Sequence, residues 1–413
     1  MDKLEVLKGY FGYESFRDGQ DELISAILEN RDILGIMPTG AGKSICFQVP
    51  AIMKEGVTVV ISPLISLMQD QVSALKQAKI PAAYINSSLN QNQINLVIEN
   101  AKIGKYKLIY IAPERLLSES FLILAKYIKI AMVVIDEAHC ISSWGQDFRP
   151  SYTDIPKFIN GLKEKPVVAA LTATATERVQ EDIIKLIRLN NPKILVTGFN
   201  RKNLYFEVDK PKNKMQSLLS FVKDNVEKSG IVYCNTRKIV EEVTEALNNA
   251  GYKATRYHAG LDENERKTNQ ENFVYDKISI MVATNAFGMG IDKSNVSYVI
   301  HYNMPRDVES YYQEAGRAGR DGQNARCILY YSGQDVITAK WLIENSKDRT
   351  YEDEATEKML KAREYARLKS MIFYSTTNDC LREYILRYFG EKPENFCGYC
   401  SNCDTKFETE EIN

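Results

Sequence analysis

Short apolar runs alternate with polar turns along the first half of the chain. Five of them are rich in β-branched residues and too short to be helices, which is typical of buried parallel strands. They lie at residues 33–37, 57–61, 107–112, 132–135 and 167–171. Because polar turns and helical patterns follow these strands, we predict a doubly wound α/β domain whose ligand-binding strand ends share one edge.

The pattern starts again near residue 199. Residues 198–203 are polar and basic and are predicted to form a linker. Further strands, with helices between them such as one over 240–248, are predicted at 204–208, 230–234, 254–257, 278–283, 296–301 and 326–331. We therefore predict a first α/β domain over 1–199 and a second over 200–340, the second without a phosphate loop of its own.

The remaining residues, 341–413, have a different pattern. Residues 351–374 are charged, with apolar positions at helical spacing, and a second helix is predicted to begin near Asp379. We expect a small helical subdomain in this part of the chain.

A glycine-rich loop joins the first predicted strand to a helix: Met37-Pro38-Thr39-Gly40-Ala41-Gly42-Lys43-Ser44. Such a loop points several backbone N–H groups at one anion. Lys43 adds positive charge for the outer phosphates, and Ser44 adds a hydroxyl ligand for Mg²⁺. The general pattern has Gly where this chain has Met37. A phosphate site is predicted, and the alternative is a turn that only caps a helix.

Two carboxylates, Asp136 and Glu137, follow the buried run at 132–135. In a phosphate-loop protein such an Asp holds Mg²⁺, and the neighbouring acid orients and deprotonates the attacking water. The alternative is an acidic strand end in solvent. With Lys43 and Ser44 upstream, we expect the catalytic interpretation.

The segment Phe11–Gln20 lies between two apolar helical stripes. A planar ring and a Gln amide just upstream of a phosphate loop could stack on a purine and bond its edge. The alternative is two helices joined by a polar turn. The spacing alone leaves both interpretations open.

Arg317 and Arg320 are three residues apart and are predicted to share one face of a helix. Two guanidinium groups on one face suit phosphate binding, and one can act as an arginine finger. The alternative is a solvated basic helix. Gly316 and Gly319 argue against it, since glycine costs about 1 kcal/mol in a helix and tends to have a reason.

The composition is that of an ordinary globular protein, with 44% hydrophobic and 26% charged residues among 413. Because the net charge is −1, any nucleic-acid surface is a local patch. No run approaches the roughly 20 apolar residues that span a bilayer, so no membrane partner is expected. The charged start, Met1–Glu5, lacks a secretory core, so we expect a cytoplasmic protein.

Eight cysteines fall into two groups. Cys46, Cys140, Cys234 and Cys327 are scattered and are expected to be small buried hydrophobes. The others cluster near the end of the chain: Cys380, Cys397, Cys400 and Cys403. In a chain that is not exported, a cluster indicates metal rather than disulfides. Four thiolates can close a tetrahedral Zn²⁺ site, which the helices around Cys380 favour, although C-x₂-C steps can also hold an iron–sulfur cluster.

Two α/β domains with these turns in this order resemble superfamily 2 helicases, and the details resemble the RecQ family of DNA helicases along nearly the whole chain. The resemblance implies two RecA-like parallel-sheet domains in tandem plus a small helical zinc-binding subdomain. The family's phosphate loop includes Met37, and residues 136–139 match its DEAH box. The resemblance also puts Tyr13, Arg17 and Gln20 on adenine.

The resemblance implies ATP, Mg²⁺ and Zn²⁺ as cofactors, with Mg²⁺ on Ser44 and Asp136. Arg320 is expected to be the arginine finger and Arg317 its partner, reaching the nucleotide when the two domains close. The four clustered cysteines resemble the family's zinc-binding subdomain.

The segment Trp144–Pro150 resembles the family's aromatic-rich loop, which senses single-stranded DNA and relays it to the ATP site. Trp144 and Phe148 offer stacking faces worth about 1–3 kcal/mol per base, and Arg149 offers charge. The family often has His where this chain has Gln146. Other residues expected to bind DNA or couple it to ATP are Ser62, Arg115, His139, Thr172 and Arg237.

The resemblance implies an ATP-driven helicase that moves 3′ to 5′ on single-stranded DNA and unwinds tailed duplexes in repair or recombination. Two alternatives stay open: a DNA-stimulated ATPase that anneals or remodels strands without efficient unwinding, and an RNA-directed helicase. We expect a monomer, associated with the nucleoid if bacterial, and single-strand-binding and recombination proteins as partners. The family usually continues into winged-helix and further helical domains; ten residues after Cys403 hold neither, so we expect a minimal form, natural or truncated.

Overall fold

The computed structural model describes residues 2–145, 147–287, 293–345 and 354–410. Within them the chain forms two compact units, Met1–Gly198 and Phe199–Asn413, here called unit 1 and unit 2. Each unit is built on a parallel sheet, with helices in most of the described connections between strands. The predicted α/β class with two parallel-sheet domains is therefore confirmed.

The strands of unit 1 in the described part of the chain are β1 Ile33–Ile36, β2 Val57–Ile61, β3 Ala82–Ile85, β4 Leu108–Ile111, β5 Ile130–Ile135, β6 Val167–Thr172 and β7 Lys193–Val196. They pair in parallel in the order β3-β4-β2-β5-β6-β1-β7. Strands β1, β2, β4 and β6 are buried at every position, which explains their unbroken apolar sequences. The carboxyl ends of all these strands meet at one edge of the sheet.

Helices form the connections of unit 1: α1 Lys3–Val6, α2 Gln20–Leu28, α3 Lys43–Met53, α4 Ile65–Gln77, α5 Gln91–Lys102, α6 Glu119–Tyr127, α7 Ile155–Asn160 and α8 Glu177–Ile187. Helix α1 continues into a π-helical turn, Leu7–Phe11. Three single helical turns follow strands or loops at Pro113–Arg115, Ala138–Ile141 and Pro150–Asp154. Local sequence sets some helix ends, as where Asn90 caps α5 by accepting from a backbone N–H in its first turn.

The strands of unit 2 in the described residues are β8 Leu204–Asp209, β9 Ser229–Tyr233, β10 Ala254–Tyr257, β11 Ile280–Ala283, β12 Val296–His301 and β13 Ala325–Tyr330. They are parallel in the order β10-β11-β9-β12-β13-β8. If the strands of each unit are counted from its first strand, this order repeats that of unit 1 without β7. Tight packing fixes the sheet locally, since a Cβ on Gly230 would overlap the Tyr298 ring.

The helices of unit 2 are α9 Lys214–Lys223, α10 Arg237–Asn249, α11 Glu263–Val274, α12 Val308–Ala315, α13 Gly333–Glu344, α14 Glu354–Thr376, α15 Leu381–Tyr388 and α16 Ser401–Glu410. The long helix predicted over 351–374 is α14, with its first predicted residues outside the described ranges. Across the described residues, no helix combines the length and the apolar character needed to cross a membrane.

Residues 354–410, here called the zinc module, cover the edge strand β8. Cys400 forms a parallel β-bridge with Phe206 of β8. Next to it the Val208 N–H donates to Ser401 Oγ at 3.4 Å, and the Tyr205 hydroxyl donates to Asp404. An open strand edge is a template for aggregation, so this contact protects the sheet. In unit 1 the corresponding strand, β1, is covered by β7 instead.

The two edge strands of unit 1, β3 and β7, were missing from the sequence prediction. Strand β3 is largely buried but begins with two alanines, and β7 is partly exposed, so neither has the β-branched buried run of a central strand. In β7 the exposed side chains of Ile194 and Val196 alternate with partly buried ones. The strands that were predicted agree with the structure to within two residues at each end, as at Ile280–Ala283.

The boundary between the two units falls within the predicted linker over 198–203, and from Phe199 onward this segment is packed into unit 2. The Phe199 side chain is buried, and its ring stacks on Phe389 with 4.3 Å between centroids. The Tyr312 hydroxyl donates to the Phe199 carbonyl at 2.7 Å. Polar composition suggested solvent, whereas these polar groups are bonded within the unit. The predicted domain limit at residue 340 stays a prediction.

The four scattered cysteines, Cys46, Cys140, Cys234 and Cys327, are all buried, as the sequence predicts. Burial raises the pKa of Cys46 to about 12, so this thiol stays protonated and unreactive at neutral pH. These residues therefore serve packing, in contrast to the cysteines of the zinc module.

Candidate functional site

The phosphate loop joins β1 to α3 at the carboxyl edge of unit 1. Gly40 and Gly42 have φ values of 87° and 81°, a region that favours glycine. Helix α3 begins at Lys43, so its amino terminus faces the loop. The Lys43 ammonium donates to the Met37 carbonyl at 3.0 Å. The buried Met37 in turn donates its N–H to the Thr172 carbonyl at 3.0 Å, which ties the loop to β6.

Arg17 and Gln20 both contact this loop. Gln20 Nε2 donates to the carbonyls of Ala41 and Gly42, each at 3.1 Å. Arg17 Nη1 donates to the Gly40 carbonyl at 2.6 Å. The predicted purine partner Tyr13 is half exposed. In this structure Arg17 and Gln20 therefore shape the loop, and their contact with adenine stays a prediction.

The acid pair, Asp136 and Glu137, follows β5 at the same edge. Ser62 Oγ donates to Asp136 Oδ2 at 3.1 Å, and the Glu137 N–H donates to Asp136 Oδ1 at 3.1 Å. Burial, followed by repulsion from Glu137, raises the pKa of Asp136 to about 6. Glu137 itself has a φ of 48°, an uncommon backbone conformation for a non-glycine residue. Such strain is typical of functional sites.

His139 connects the acid pair to the end of β6. Its Nδ1 lies 2.7 Å from Thr172 Oγ1 and 3.3 Å from Glu137 Oε2. The Thr172 hydroxyl donates to the Thr174 carbonyl at 3.1 Å, so its oxygen accepts from Nδ1–H. Burial lowers the pKa of His139 to about 4, which keeps the ring neutral. His139 therefore links the end of β6 to Glu137.

The aromatic loop, residues 144–149, lies close to these groups; its Gln146 is outside the described residues. Arg149 Nη1 donates to the Pro63 carbonyl at 3.2 Å, next to Ser62. Its Nε and Nη2 bind Asp147 Oδ2 at 3.0 and 2.9 Å. Because Ser62 bonds Asp136, this loop is linked to the acid pair. The Phe148 side chain is partly exposed.

Trp144 has a partner that the sequence did not reveal. The guanidinium carbon of Arg178, in the first turn of α8, lies 3.1 Å from the centroid of the Trp144 ring. This places a cation over one face of the indole. Only the fold reveals this pair, since 34 positions separate the two residues in the sequence.

Two predicted DNA contacts lie at other strand ends. Arg115 ends the helical turn after β4, and its N–H donates to the Ala112 carbonyl at 2.9 Å. Arg237 begins α10 after β9 in unit 2, where Thr236 caps the helix. A Cβ on Gly260 would meet the Arg237 side chain at 3.1 Å, so this arginine packs against the turn after β10. All of these residues lie at carboxyl ends of strands, as predicted.

The arginine turn, residues 316–320, corrects one prediction. Arg317 and Arg320 were expected on one helix, but α12 ends at Ala315. Gly319 has a φ of 58°, which ends helical geometry and explains the glycine. Arg317 is buried. Burial raises the pKa of the Tyr233 hydroxyl, while the positive charges of Arg317 and Arg320 partly oppose this shift.

Arg201 holds the arginine turn and was missed by the sequence analysis. Its Nη2 donates to the carbonyls of Ala318 and Gly319 at 2.9 and 2.8 Å, and its Nη1 to the Gly316 carbonyl at 3.3 Å. Asn203 Nδ2 also donates to the Gly319 carbonyl, at 2.9 Å. In the sequence, Arg201 and Asn203 are two polar residues of the predicted linker, and nothing in this pattern indicates their partners.

The four clustered cysteines come together in the zinc module. One sulfur from each of Cys380, Cys397, Cys400 and Cys403 lies within 4.8 Å of the others. Two of the separations are 3.8 Å (Cys397 to Cys403) and 4.0 Å (Cys400 to Cys380). Tetrahedral ligands at about 2.3 Å from one Zn²⁺ are about 3.8 Å apart, so these residues fit a single zinc ion.

Backbone N–H groups also point at this cluster. The Tyr399 N–H donates to Cys397 Sγ at 3.3 Å, and the Glu383 N–H donates to Cys380 Sγ at 3.5 Å. Such bonds stabilise thiolates and orient them toward a metal. The predicted metal-ligand set is thus brought together by the fold.

Comparisons with known proteins agree with this arrangement. Three family descriptions match: DEAD/DEAH box helicase over residues 17–183, helicase conserved C-terminal domain over 213–322, and RecQ zinc-binding over 333–404. The ATP-dependent DNA helicase RecQ of Bacillus subtilis is 50% identical over 97% of this chain and 67% of its own length. The RecQ helicase of Pasteurella multocida is 42% identical over 97% of this chain and 62% of its own length.

Solved structures show the same fold at lower identity. Dbp5 of S. cerevisiae bound to RNA and ADP BeF3 matches with a TM-score of 0.66 and 19% identity, over 87% of this chain and 97% of that chain. The helicase Lhr of Mycobacterium smegmatis bound to ssDNA and AMP-PNP gives 0.65 and 18%, over 92% and 59%. The chain thus has the RecA-like helicase fold and spans about two thirds of the length of its bacterial relatives. From its fold, its zinc-binding region and these relatives, the chain belongs to the RecQ family of ATP-dependent DNA helicases.

Proposed function

We propose that this chain is an ATP-driven motor that moves 3′ to 5′ on single-stranded DNA and unwinds tailed duplexes, in DNA repair and recombination. The observation that carries the proposal is a path within unit 1 made of two side-chain hydrogen bonds and the peptide link between Ser62 and Pro63. It runs from the aromatic loop through Arg149, Pro63 and Ser62 to Asp136. DNA bound beside Arg149 would thereby be connected to the groups that would hydrolyse ATP.

The phosphate loop would bind ATP through its backbone N–H groups, with Thr39, Gly40 and Gly42 around the phosphates and Lys43 on the outer ones. The exposed Tyr13 ring offers a stacking face for adenine. Arg17 and Gln20 would contact the base by exchanging their bonds to the loop carbonyls for the purine edge.

Ser44 and Asp136 would hold Mg²⁺. Asp136 fits this role because it is a partly buried carboxylate whose pKa is raised, a state that a bound cation relieves. When bound, Mg²⁺ supplies charge neutralisation on the phosphates. Glu137 would orient the attacking water and accept its proton. Arg320 would act as the arginine finger and Arg317 as its partner during the catalytic cycle.

DNA would stack on Trp144 and Phe148, while Ser62, Arg115, Arg149 and Arg237 contact its backbone. His139 and Thr172 would couple DNA to hydrolysis, because His139 bonds Thr172 and lies close to Glu137. The zinc module would hold Zn²⁺ through its four cysteines. From family membership we also propose a monomer in the cytoplasm or nucleoid that works with single-strand-binding and recombination proteins.

The test compares ATP hydrolysis and strand separation in parallel. Substrates are duplexes with a 3′ tail or a 5′ tail and a matching RNA duplex, and the proteins are wild type, Lys43→Ala and the exposed-site control Lys126→Ala. We expect DNA to stimulate hydrolysis, the 3′-tailed duplex to open, and Lys43→Ala to lose both.

Each alternative has its own outcome. Stimulation by DNA without strand separation would favour the annealing or remodelling ATPase. Stronger stimulation by RNA would favour an RNA-directed helicase. Hydrolysis that is independent of nucleic acid would refute the proposed role of the aromatic loop.

A further inference from the structure

The side chain of Arg201 binds the main chain of the arginine turn. One guanidinium group spans the carbonyls of Gly316, Ala318 and Gly319 at 2.8–3.3 Å. The planar fork of an arginine holds several acceptors in a fixed geometry, which a lysine cannot reproduce. The carbonyls on both sides of Arg317 accept from Arg201, so the backbone of Arg317 cannot move without breaking these hydrogen bonds.

The turn needs such a partner. Helix α12 ends at Ala315, and the N–H groups of residues 316–318 donate to its last carbonyls. The carbonyls of Gly316, Ala318 and Gly319 lie beyond the helix and accept from Arg201. The Gly319 N–H donates to the Val296 carbonyl at 2.9 Å, which anchors one end of the turn on β12. Arg201 supplies the anchor on the other side, together with Asn203.

The zinc module in turn holds Arg201. Arg382, two residues after the zinc ligand Cys380, is buried. Its Nη1 donates to the Arg201 carbonyl at 2.6 Å and to Asn200 Oδ1 at 3.2 Å, and its Nη2 donates to the Leu204 carbonyl at 2.5 Å. The side chain of Arg201 thus reaches the arginine turn while its main chain is fixed from the zinc module.

We propose that Arg201 is a positioning residue for Arg317 and Arg320, and that the zinc module sets its position through Arg382. The proposal rests on the proposed function, because it needs these arginines to act on ATP. It gives the zinc module a part in ATP hydrolysis in addition to holding the fold.

The experiment uses the full zinc-loaded chain with four substitutions: Arg201→Ala, Arg201→Lys, Arg382→Ala and the control Arg326→Ala. Arg326 pairs with Glu207 on the same sheet, and no bond from it to the turn is seen among the described residues. Hydrogen exchange of residues 316–323 is measured without nucleotide. Turnover and KM for ATP are measured with oligo-dT at saturation.

We expect Arg201→Ala to speed exchange in the turn about tenfold or more and to lower kcat about tenfold or more, while KM changes by less than about threefold. Arg201→Lys restores part of both. Arg382→Ala acts in the same direction with a smaller effect. The double variant Arg201→Ala/Arg382→Ala is no worse than Arg201→Ala, because both act on one turn. Arg326→Ala changes neither quantity.

Three results would overturn the proposal. One is unchanged exchange in the turn for Arg201→Ala and Arg201→Lys. Another is faster exchange with no greater loss of kcat than in Arg326→Ala, and a third is fully additive effects of Arg201→Ala and Arg382→Ala. A wild-type chain that DNA does not stimulate would instead refute the proposed function. If Arg201→Ala fails to fold by circular dichroism, the comparison is made with Arg201→Lys and Asn203→Ala.

Discussion

The two sheets have the same strand order but different residues at their carboxyl edges. After β1 comes the phosphate loop, with two glycines at positive φ. After the corresponding strand, β8, comes Lys210–Asn213, where Asn213 caps α9 by accepting from the Gln216 N–H. After β5 come Asp136 and Glu137, whereas β12 is followed by Tyr302 and Asn303.

This comparison teaches that the fold supplies an edge and the turns decide its chemistry. The sheet edges differ as well. In unit 1 the strand β7 pairs with β1, and in unit 2 the zinc module takes the matching place beside β8. The same topology is thus completed by a strand in one unit and by a metal-binding module in the other.

The largest effect is expected from disturbing the zinc module, which covers strand β8 at the edge of unit 2. Cys400→Ser removes one of four thiolates, so bound zinc should fall from about one per chain to near zero and the backbone bridge to Phe206 should loosen with it. Exposed β8 should then promote aggregation. Metal content and light scattering measure both. The control Cys234→Ala alters a buried thiol outside the cluster and should keep its zinc. Full zinc in Cys400→Ser would refute the ligand assignment.

The acid pair of unit 1 comes next. Glu137→Gln should lower ATP hydrolysis roughly 10²–10⁴-fold, because it removes the proposed general base while leaving the shape of the edge. Steady-state hydrolysis with oligo-dT measures it. The control is Glu164→Gln, an exposed acid just before β6 at the opposite edge of the same sheet. Equal rates of ATP hydrolysis in Glu137→Gln and Glu164→Gln would contradict the proposed role of Glu137 as the general base.

The stack of Arg178 on Trp144 should have a smaller effect. In a Trp341→Phe background Trp144 is the remaining tryptophan, since the sequence has two. Arg178→Ala should increase acrylamide quenching of Trp144 and tighten oligo-dT binding about two- to fivefold, because the contact that a base must replace is worth about 0.5–1 kcal/mol. The control Lys185→Ala lies on the same helix. Unchanged quenching would mean that the ring is already open to solvent.

The smallest expected effect concerns a buried acid in unit 2. Burial, followed by repulsion from Asp307, raises the pKa of Glu309 to about 7, although Tyr388 and Arg367 oppose the shift. Its folded-state pKa therefore lies above its ordinary value of 4.5. The stability that it contributes is complete below the ordinary value and is lost as pH rises through about 7.

Glu309→Gln should therefore melt about 4 °C higher than wild type at pH 8 and close to it at pH 5. Thermal unfolding at both pH values measures the difference. The exposed-site control Glu263→Gln should show no such pH dependence. A variant that is less stable than wild type at pH 8 would contradict the assigned protonation.

The sequence predicted the central strands and the loops at their ends, because apolar runs and glycine-rich turns are local signals. It missed β3, which begins with two alanines, and β7, whose Ile194 and Val196 are exposed, and it placed Arg317 and Arg320 on a helix that ends at Ala315. It also missed Arg201 and Arg178, since each acts on residues far away in the sequence. Spacing cannot reveal such partners, which only the packed chain brings together.

The most direct test separates nucleotide binding from hydrolysis. Lys43→Ala and Arg320→Ala are compared for affinity toward a fluorescent ATP analogue and for DNA-stimulated hydrolysis. The account predicts that Lys43→Ala loses binding, while Arg320→Ala binds within about threefold of wild type and loses roughly 10³-fold or more in hydrolysis. If Arg320→Ala hydrolyses ATP at the wild-type rate, or loses binding as Lys43→Ala does, the account is wrong. It assigns nucleotide binding to the phosphate loop of unit 1 and a role in hydrolysis to the arginine turn of unit 2.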